Sequence, residues 1–335
     1  MRRWLERGAW PQASPLSRRG AELRVLFHRD FRSFTGGHLK VWHYFEHVQQ
    51  TPGFSPLIAF SPETRWDATN PWLGRRDQAL PHWHPEEADM LFLAGMDWEV
   101  LDAMERRAPP RPVINLIQHV RHADPAEPLY QFLSHPALRI CVSSQVTEAL
   151  RATGRVKGPL VTIPNGIDLG DLPSVRPWAG RWPEVLILGI KQPALALELA
   201  AQLTQAGRAV DCLVEAVPRG EFLARLAQAR LALLLPNPTE GFYLPALEAF
   251  ALETLVVCPD CIGNRSFCLA GANCWQPPYR LEALLAAVDQ ALALPAERVH
   301  ALLAAGRETA QRHGLDQERQ AFAQLLQSLA AEGKR

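Results

Sequence analysis

Short apolar runs alternate along this chain with longer stretches in which apolar positions recur every three or four residues. The first pattern is that of a buried strand and the second that of an amphipathic helix. Their alternation predicts βα units on a parallel sheet. ELRVLFHR (22–29) reads as the first strand; the turn Thr35-Gly36-Gly37-His38 follows, then a helix over LKVWHYFEHVQQ. FSPLIAF, ADMLFLAG, PVINLIQHV and LRICVSS read as later strands, and Gln145 to Thr153 as a helix with Ser143 or Ser144 as N-cap. PLVTIPNGID (159–168) reads as one more strand ending in an Asn-Gly turn.

The rhythm breaks at 169–183, LGDLPSVRPWAGRWP, where three prolines and two glycines interrupt any apolar period. That composition is a linker. The alternation then restarts with EVLILGI, ALALELAAQLTQAG, AVDCLVEA, GEFLARLAQA, RLALLLP, PALEAFALE and TLVVCPD. From about Arg280 to Ala331 the pattern predicts two or three amphipathic helices. A length of 335 residues also exceeds what one core usually fills. The expected organisation is a basic leader over 1–21, a Rossmann-like domain over 22–168, a linker over 169–183, and a second Rossmann-like domain with C-terminal helices over 184–335. The expected fold class is α/β, two such domains facing each other across a cleft.

Charge and cysteine content narrow the partners. Lys plus Arg (35) balance Asp plus Glu (35), so no global field draws the chain to nucleic acid. The leader carries five arginines against Glu6, a local charge of +4. It reads as a disordered basic segment, with a weak peripheral membrane contact through Trp4 and Trp10 as the alternative. No apolar run reaches the roughly 18 residues of a membrane span. Six cysteines without a signal-like segment suggest reduced thiols and a cytoplasmic location, membrane-peripheral if the leader binds lipid.

The chemistry concentrates in LLLPNPTEGFYLPALEAFALETLVV (233–257). An apolar strand delivers a loop at its C-terminal edge, where open α/β sheets bind ligands. The loop holds Glu240 and Gly241, Pro245 suits a first helical turn, and the helix carries Glu248. Two carboxylates at such a junction could each hold a pair of sugar hydroxyls. The spacing equally fits a solvated Glu248 and a Glu240 that helps cap the helix.

The wording of the segment resembles the E-x7-E motif of the retaining, nucleotide-sugar-dependent glycosyltransferases of family 4, the glycogen-synthase-like group with the GT-B fold. The family pattern E-G-F-x-L-x-x-L-E-A is matched by Glu240-Gly241-Phe242-Tyr243-Leu244-Pro245-Ala246-Leu247-Glu248-Ala249. Its hinge segment I-P-N-G-[IV]-D is matched by Ile163 to Asp168, and its Gly-Gly pair after the first strand by Gly36-Gly37. The three motifs occur in family order, from the first strand to about residue 257.

The resemblance implies roles. Glu240 would contact donor sugar hydroxyls near the reacting carbon, Glu248 the nucleotide ribose, and Lys191, just after the first strand of the second domain, the diphosphate. Gly36 and Gly37 would let the backbone approach diphosphate or acceptor. His119 would line the cleft near the transferred sugar, with His122 as second candidate. Gly241, Phe242, Tyr243, Leu244 and the hinge residue Asn165 complete the implied donor set. The family also supplies an Arg shortly before the diphosphate Lys, absent from VLILG here. Its Gly-Gly-x-x-Glu phosphate loop is replaced by Ile262-Gly263-Asn264-Arg265-Ser266-Phe267-Cys268. On charge grounds Arg265 is a candidate second cation on the diphosphate, with Gly263 and Asn264 beside it; a surface arginine holding Asp260 is the other reading. Where the family has a glycine after the Glu248 helix this chain has Glu253, so a left-handed conformation there would be strained.

Two constellations offer metal chemistry. Cys258, Cys261, Cys268 and Cys274 could ligate zinc or pack as structural thiols, and the spacing favours thiols. His82 and His84 lie between prolines and read as loop residues. With no D-x-D motif in the chain, no metal and no bound cofactor are expected beyond the nucleoside diphosphate sugar as co-substrate. The expected activity is retaining, metal-independent transfer of a hexose-type unit from that donor to a saccharide or other hydroxyl acceptor. A nucleotide-sugar epimerase, a sugar phosphorylase or a catalytically silent binding protein are the alternatives. Acceptor recognition is expected in variable loops such as 60–87, where Trp66, Trp72 and Trp83 could stack on sugar rings or pack the loop onto its own domain.

Overall fold

The computed structural model describes residues 22–332. The basic leader, and with it the membrane-contact reading of Trp4 and Trp10, lies outside them. The chain divides into two compact units, the first running to Pro164 and resuming at Glu318, the second spanning Asn165–Gln317.

The first unit contains β1 (Leu23–Arg29), α1 (Gly36–Gln49), β2 (Phe54–Phe60), β3 (Ala79–Leu80), β4 (Met90–Ala94), α2 (Ala103–Arg107), β5 (Val113–Ile117), β6 (Leu138–Cys141), α3 (Ser144–Ala152) and β7 (Leu160–Thr162). The strands form one sheet in the order β3-β2-β1-β4-β5-β6-β7. Every pairing is parallel; β1 runs beside β2 from Leu23 opposite Phe54 to Arg29 opposite Phe60. Val25, Leu26 and Phe27 are all buried, as a parallel strand covered on both faces requires. Ser143 is the N-cap of α3, its hydroxyl accepting from Val146 N.

The second unit contains β8 (Val185–Leu188), α4 (Pro193–Gln205), β9 (Val210–Leu213), α5 (Arg219–Gln228), β10 (Leu231–Leu234), α6 (Leu244–Ala251), β11 (Leu255–Val257), α7 (Leu281–Leu292) and α8 (Ala296–Arg312). Its sheet is parallel in the order β11-β10-β8-β9. Val185, Ile187, Leu231 and Leu233 pack against Leu199 of α4 and Leu284 and Val288 of α7.

Three sequence expectations change. The tail helix α9 (Leu315–Glu332) passes to the first unit from Glu318 onward instead of staying with the second. Phe322 meets Tyr44 edge-on at 4.8 Å, and the buried Glu318 bonds Lys40 and His47 of α1. An apolar period shows that a helix buries a face, not which core receives it. Asn165-Gly166 does not turn; the segment runs on to pair Ile167 with Gly314. A Cβ on Gly166 would lie 2.7 Å from Gly314 O, so the glycine serves close backbone approach. The linker is not a loose tether either. Arg181 is buried and donates to Leu252 O at 2.9 Å and Glu253 O at 2.8 Å, satisfying the carbonyl end of α6.

Among the described residues no helix is long and apolar enough to cross a membrane.

Candidate functional site

In the second unit, β8 ends in a turn at Gly189 where a Cβ would collide with Ala196 Cβ of α4. This tight turn sends Lys191 outward: it is exposed and, among the described residues, has no ion-pair partner. Gln192 Nε2 approaches Asn237 Oδ1 at 3.4 Å, and Asn237 O accepts from Glu240 N at 3.2 Å. The Lys191 turn and the Glu240 loop therefore sit side by side, at the carboxyl ends of β8 and β10. That edge is where parallel sheets place ligands.

The Glu240 loop is laced to the 262–268 segment. Ile262 N donates to Pro238 O at 3.0 Å and Tyr243 N to Gly263 O at 3.0 Å. A Cβ at Gly263 would lie 2.7 Å from Phe242 N and 2.8 Å from Glu240 O, so only glycine fits. Asn264 is wholly buried; its Nδ2 donates to Pro259 O at 2.9 Å and its Oδ1 accepts from Cys261 N at 3.2 Å. Phe242 and Tyr243 are buried, Gly241 is buried, and Leu244 opens α6 with Pro245 in its first turn. Glu240 itself is half-buried.

Glu248, in the middle of α6, is 3% exposed. Its Oε1 accepts from Arg219 Nη1 at 2.6 Å, a short charge-assisted bond. Sequence reading missed Arg219. A signal existed: Arg219 begins α5, and a cation at a helix N-terminus opposes the helix dipole unless something negative holds it there. Arg265 holds Asp260 in a bidentate pair, at 2.9 and 2.6 Å to its two oxygens, which keeps its guanidinium firmly protonated. This is the other reading the sequence allowed for it.

The four clustered cysteines are buried free thiols, and the described residues contain no group of three or more side chains placed to hold a metal. Contact with Cys258 and Cys274, together with burial, pushes the Cys268 thiol well up. Burial likewise drives Cys261 to about 12. Protonated thiols in an apolar setting behave as small hydrophobes. His82 and His84 lie in a surface loop, with His84 Nδ1 2.9 Å from Glu86.

In the first unit Thr35 caps α1, its hydroxyl accepting from His38 N, so Gly36 and Gly37 form the first turn. Gln118 Nε2 donates to Gly37 O at 3.2 Å. A Cβ on Gly36 would meet nothing within 4 Å, so the protein's own packing does not demand glycine there. His119 caps the turn after β5, its Nδ1 accepting from Arg121 N at 3.0 Å, which places the ring proton on Nε2. His122 is buried, and burial depresses its pKa to about 3, so it is a neutral interior residue. Asn165 is 4% exposed, and its Oδ1 is buried without a hydrogen-bond partner among the described residues. Trp72 is fully buried, edge-on to Trp42 at 5.3 Å and to Phe60 at 5.7 Å. It packs the 60–87 loop onto its own unit instead of stacking a sugar.

The fold is that of the GT-B glycosyltransferase structures. Sucrose-phosphate synthase from Thermosynechococcus elongatus superposes with a TM-score of 0.69 at 15% identity, over 93% of this chain and 100% of that one. HepE from Anabaena in complex with UDP-glucose gives 0.69 at 15% identity, over 92% and 100%. The apo lipopolysaccharide outer core galactosyltransferase WaaB gives 0.65 at 12% identity, over 91% and 100%. No known protein-family profile matches the chain. No curated protein matches it in sequence.

Proposed function

We propose that this chain is a retaining, metal-independent glycosyltransferase that uses a nucleoside diphosphate sugar. The observation that carries the reading is Glu248: a carboxylate 3% exposed on a helix delivered at the ligand-binding edge of a parallel sheet, with Arg219 bonded to one of its oxygens. A buried ion pair is a costly way to stabilise a helix, and at this edge it fits ribose recognition. One solved relative in fold, HepE from Anabaena, is seen in complex with UDP-glucose and with UDP and glucose.

In this reading Glu248 takes the ribose hydroxyls and Glu240 the sugar hydroxyls near the anomeric carbon. Lys191 meets the diphosphate as an unshared cation; Arg265 joins it by exchanging Asp260 for the phosphate oxygens. In the first unit the backbone N–H groups of Gly36 and Gly37, at the start of α1, suit an anionic ligand group. Also in the first unit, the Nε2–H of His119 suits a sugar hydroxyl. The bond from the anomeric carbon to the phosphate oxygen breaks as the acceptor hydroxyl attacks on the same face, and its proton passes to the leaving phosphate.

The test is a thermal-shift panel of UDP-, GDP-, ADP- and dTDP-sugars, since a specific donor stabilises by mass action. Glu248→Gln should lose mainly donor affinity and Glu240→Gln mainly turnover. Turnover should survive EDTA. A rate abolished by chelation and restored by manganese or magnesium would refute metal independence, and no shift with any donor would refute the whole reading.

A further inference from the structure

Arg219 lies outside every motif that marks the candidate site, yet it makes the shortest polar contact to Glu248. Among the described residues it is the one side chain bonded to that carboxylate, and it takes Oε1 alone. Oε2 accepts no hydrogen bond there and is not one of the sealed, unpartnered buried atoms, so it keeps an outlet. The guanidinium is 32% exposed while the carboxylate is 3% exposed, so the pair reaches solvent through Arg219. A carboxylate on a helix can rotate about its terminal torsion; an arginine bonded to one oxygen restricts that rotation and with it the directions open to the other. Arg219 occupies the first position of α5, where the helix dipole disfavours a cation.

We infer that Arg219 is a positioning residue: it orients Glu248 so that Oε2 reads a vicinal pair of ribose hydroxyls, which makes the site selective for ribonucleotides over 2′-deoxyribonucleotides. The inference rests on the reading of Glu248 as the ribose residue. It adds a specificity that neither the E-x7-E motif nor the fold assigns to this arginine.

The experiment first finds which of UDP, GDP and ADP the wild type binds tightest by titration calorimetry. It then compares that nucleotide with its 2′-deoxy counterpart on wild type, Arg219→Ala and Arg219→Lys, with melting curves alongside. Wild type should prefer the ribonucleotide at least tenfold, the scale of a hydrogen bond to a charged group. In Arg219→Ala the ribonucleotide should weaken tenfold or more and the deoxynucleotide little, so the ratio falls toward one. Arg219→Lys keeps the compensating charge and the fold but not the planar fork, and its ratio should fall several-fold. A purely structural pair would change melting without changing the ratio. Folded variants with the wild-type ratio overturn the inference while leaving the donor reading intact. If Arg219→Ala does not melt cooperatively, Arg219→Lys decides alone, and a wild-type ratio in it overturns the inference. A wild type that binds none of the three ribonucleotides overturns this inference, and the donor reading falls with it only if the dTDP-sugars also fail to bind.

Discussion

Glu318 in the first unit and Glu248 in the second are both carboxylates out of water, each bonded to a cation on a neighbouring helix. Glu318 has no exposed side-chain surface; Lys40 is 1% exposed, and His47 Nε2 lies 3.1 Å from the second oxygen. Burial pushes the Glu318 carboxyl up, and the charge of Lys40 with the His47 bond outweighs it, so the group stays ionised. Both of its oxygens are consumed. Glu248 has one oxygen held, by a cation that is one-third exposed. An ion pair sealed on every side can only fasten α9 to α1, whereas a pair with an unused acceptor and a path to solvent can bind. Charge type is the same in both places; what separates scaffold from site is whether the acceptors are exhausted.

Breaking each pair from the cation side should show this difference. Lys40→Met leaves a carboxylate sealed in without its cation and should cost about 3–5 kcal/mol. Arg219→Ala should cost roughly 1–2 kcal/mol, because water can reach Glu248 through the space the guanidinium vacates. Denaturant unfolding of both variants checks the order; equal losses would erase the contrast.

Acid should act next, and on the first unit. The histidines whose pKa is depressed, His38, His47, His122 and His135, all belong to it, each chiefly through burial. His122 falls to about 3 and His38 to about 4. Between those values and the ordinary 6.5 the unfolded chain binds more protons, so the stabilisation is complete above pH 6.5 and is lost as pH drops. His122 alone sets a slope of about 1.4 kcal/mol per pH unit in that window. Hydrogen exchange at pH 7, 5.5 and 4 should show β1, β4 and β5 opening before β8 and β10, and His122→Asn should flatten the dependence. The reverse order of opening would contradict it.

The smallest effect tests the second unit's own compromise. Glu253 ends the Glu248 helix at φ 51°, a left-handed conformation that costs a non-glycine residue about 1 kcal/mol. Arg307 bonds its carboxylate at 2.7 Å, and both side chains are partly exposed, so that pair returns only a few tenths. Glu253→Gly should therefore raise stability by about 0.5 kcal/mol. A fall would show that the ion pair outweighs the strain.

Much of this was readable before any coordinates. The Phe54–Phe60 strand was legible from Phe54 and the apolar run 57–60, set between the breakers Pro52-Gly53 and Ser61-Pro62. The two-residue strand Ala79–Leu80 was not, since two residues hold no period. Glu240 and Glu248 stood out by spacing and motif, and Glu253 by a missing glycine. Arg219, Lys40 and Glu318 did not, because each acquires its meaning from a partner 29 or 278 positions away. Periodicity reports which residues are hidden. It does not report which charge is hidden beside which.

Gly263 has a consequence for anyone redesigning this edge of the second unit's sheet. Its bare Cα lets the 262–263 backbone lie against the 238–243 backbone with no side chain between them. Any larger residue at 263 would pry the two segments apart, and a replaced 238–243 loop would lose the surface it was moulded on. The two stretches behave as one casting in two pieces. A loop graft from another protein of this fold will have to carry both halves together, as a single cassette, or it will arrive without its mould.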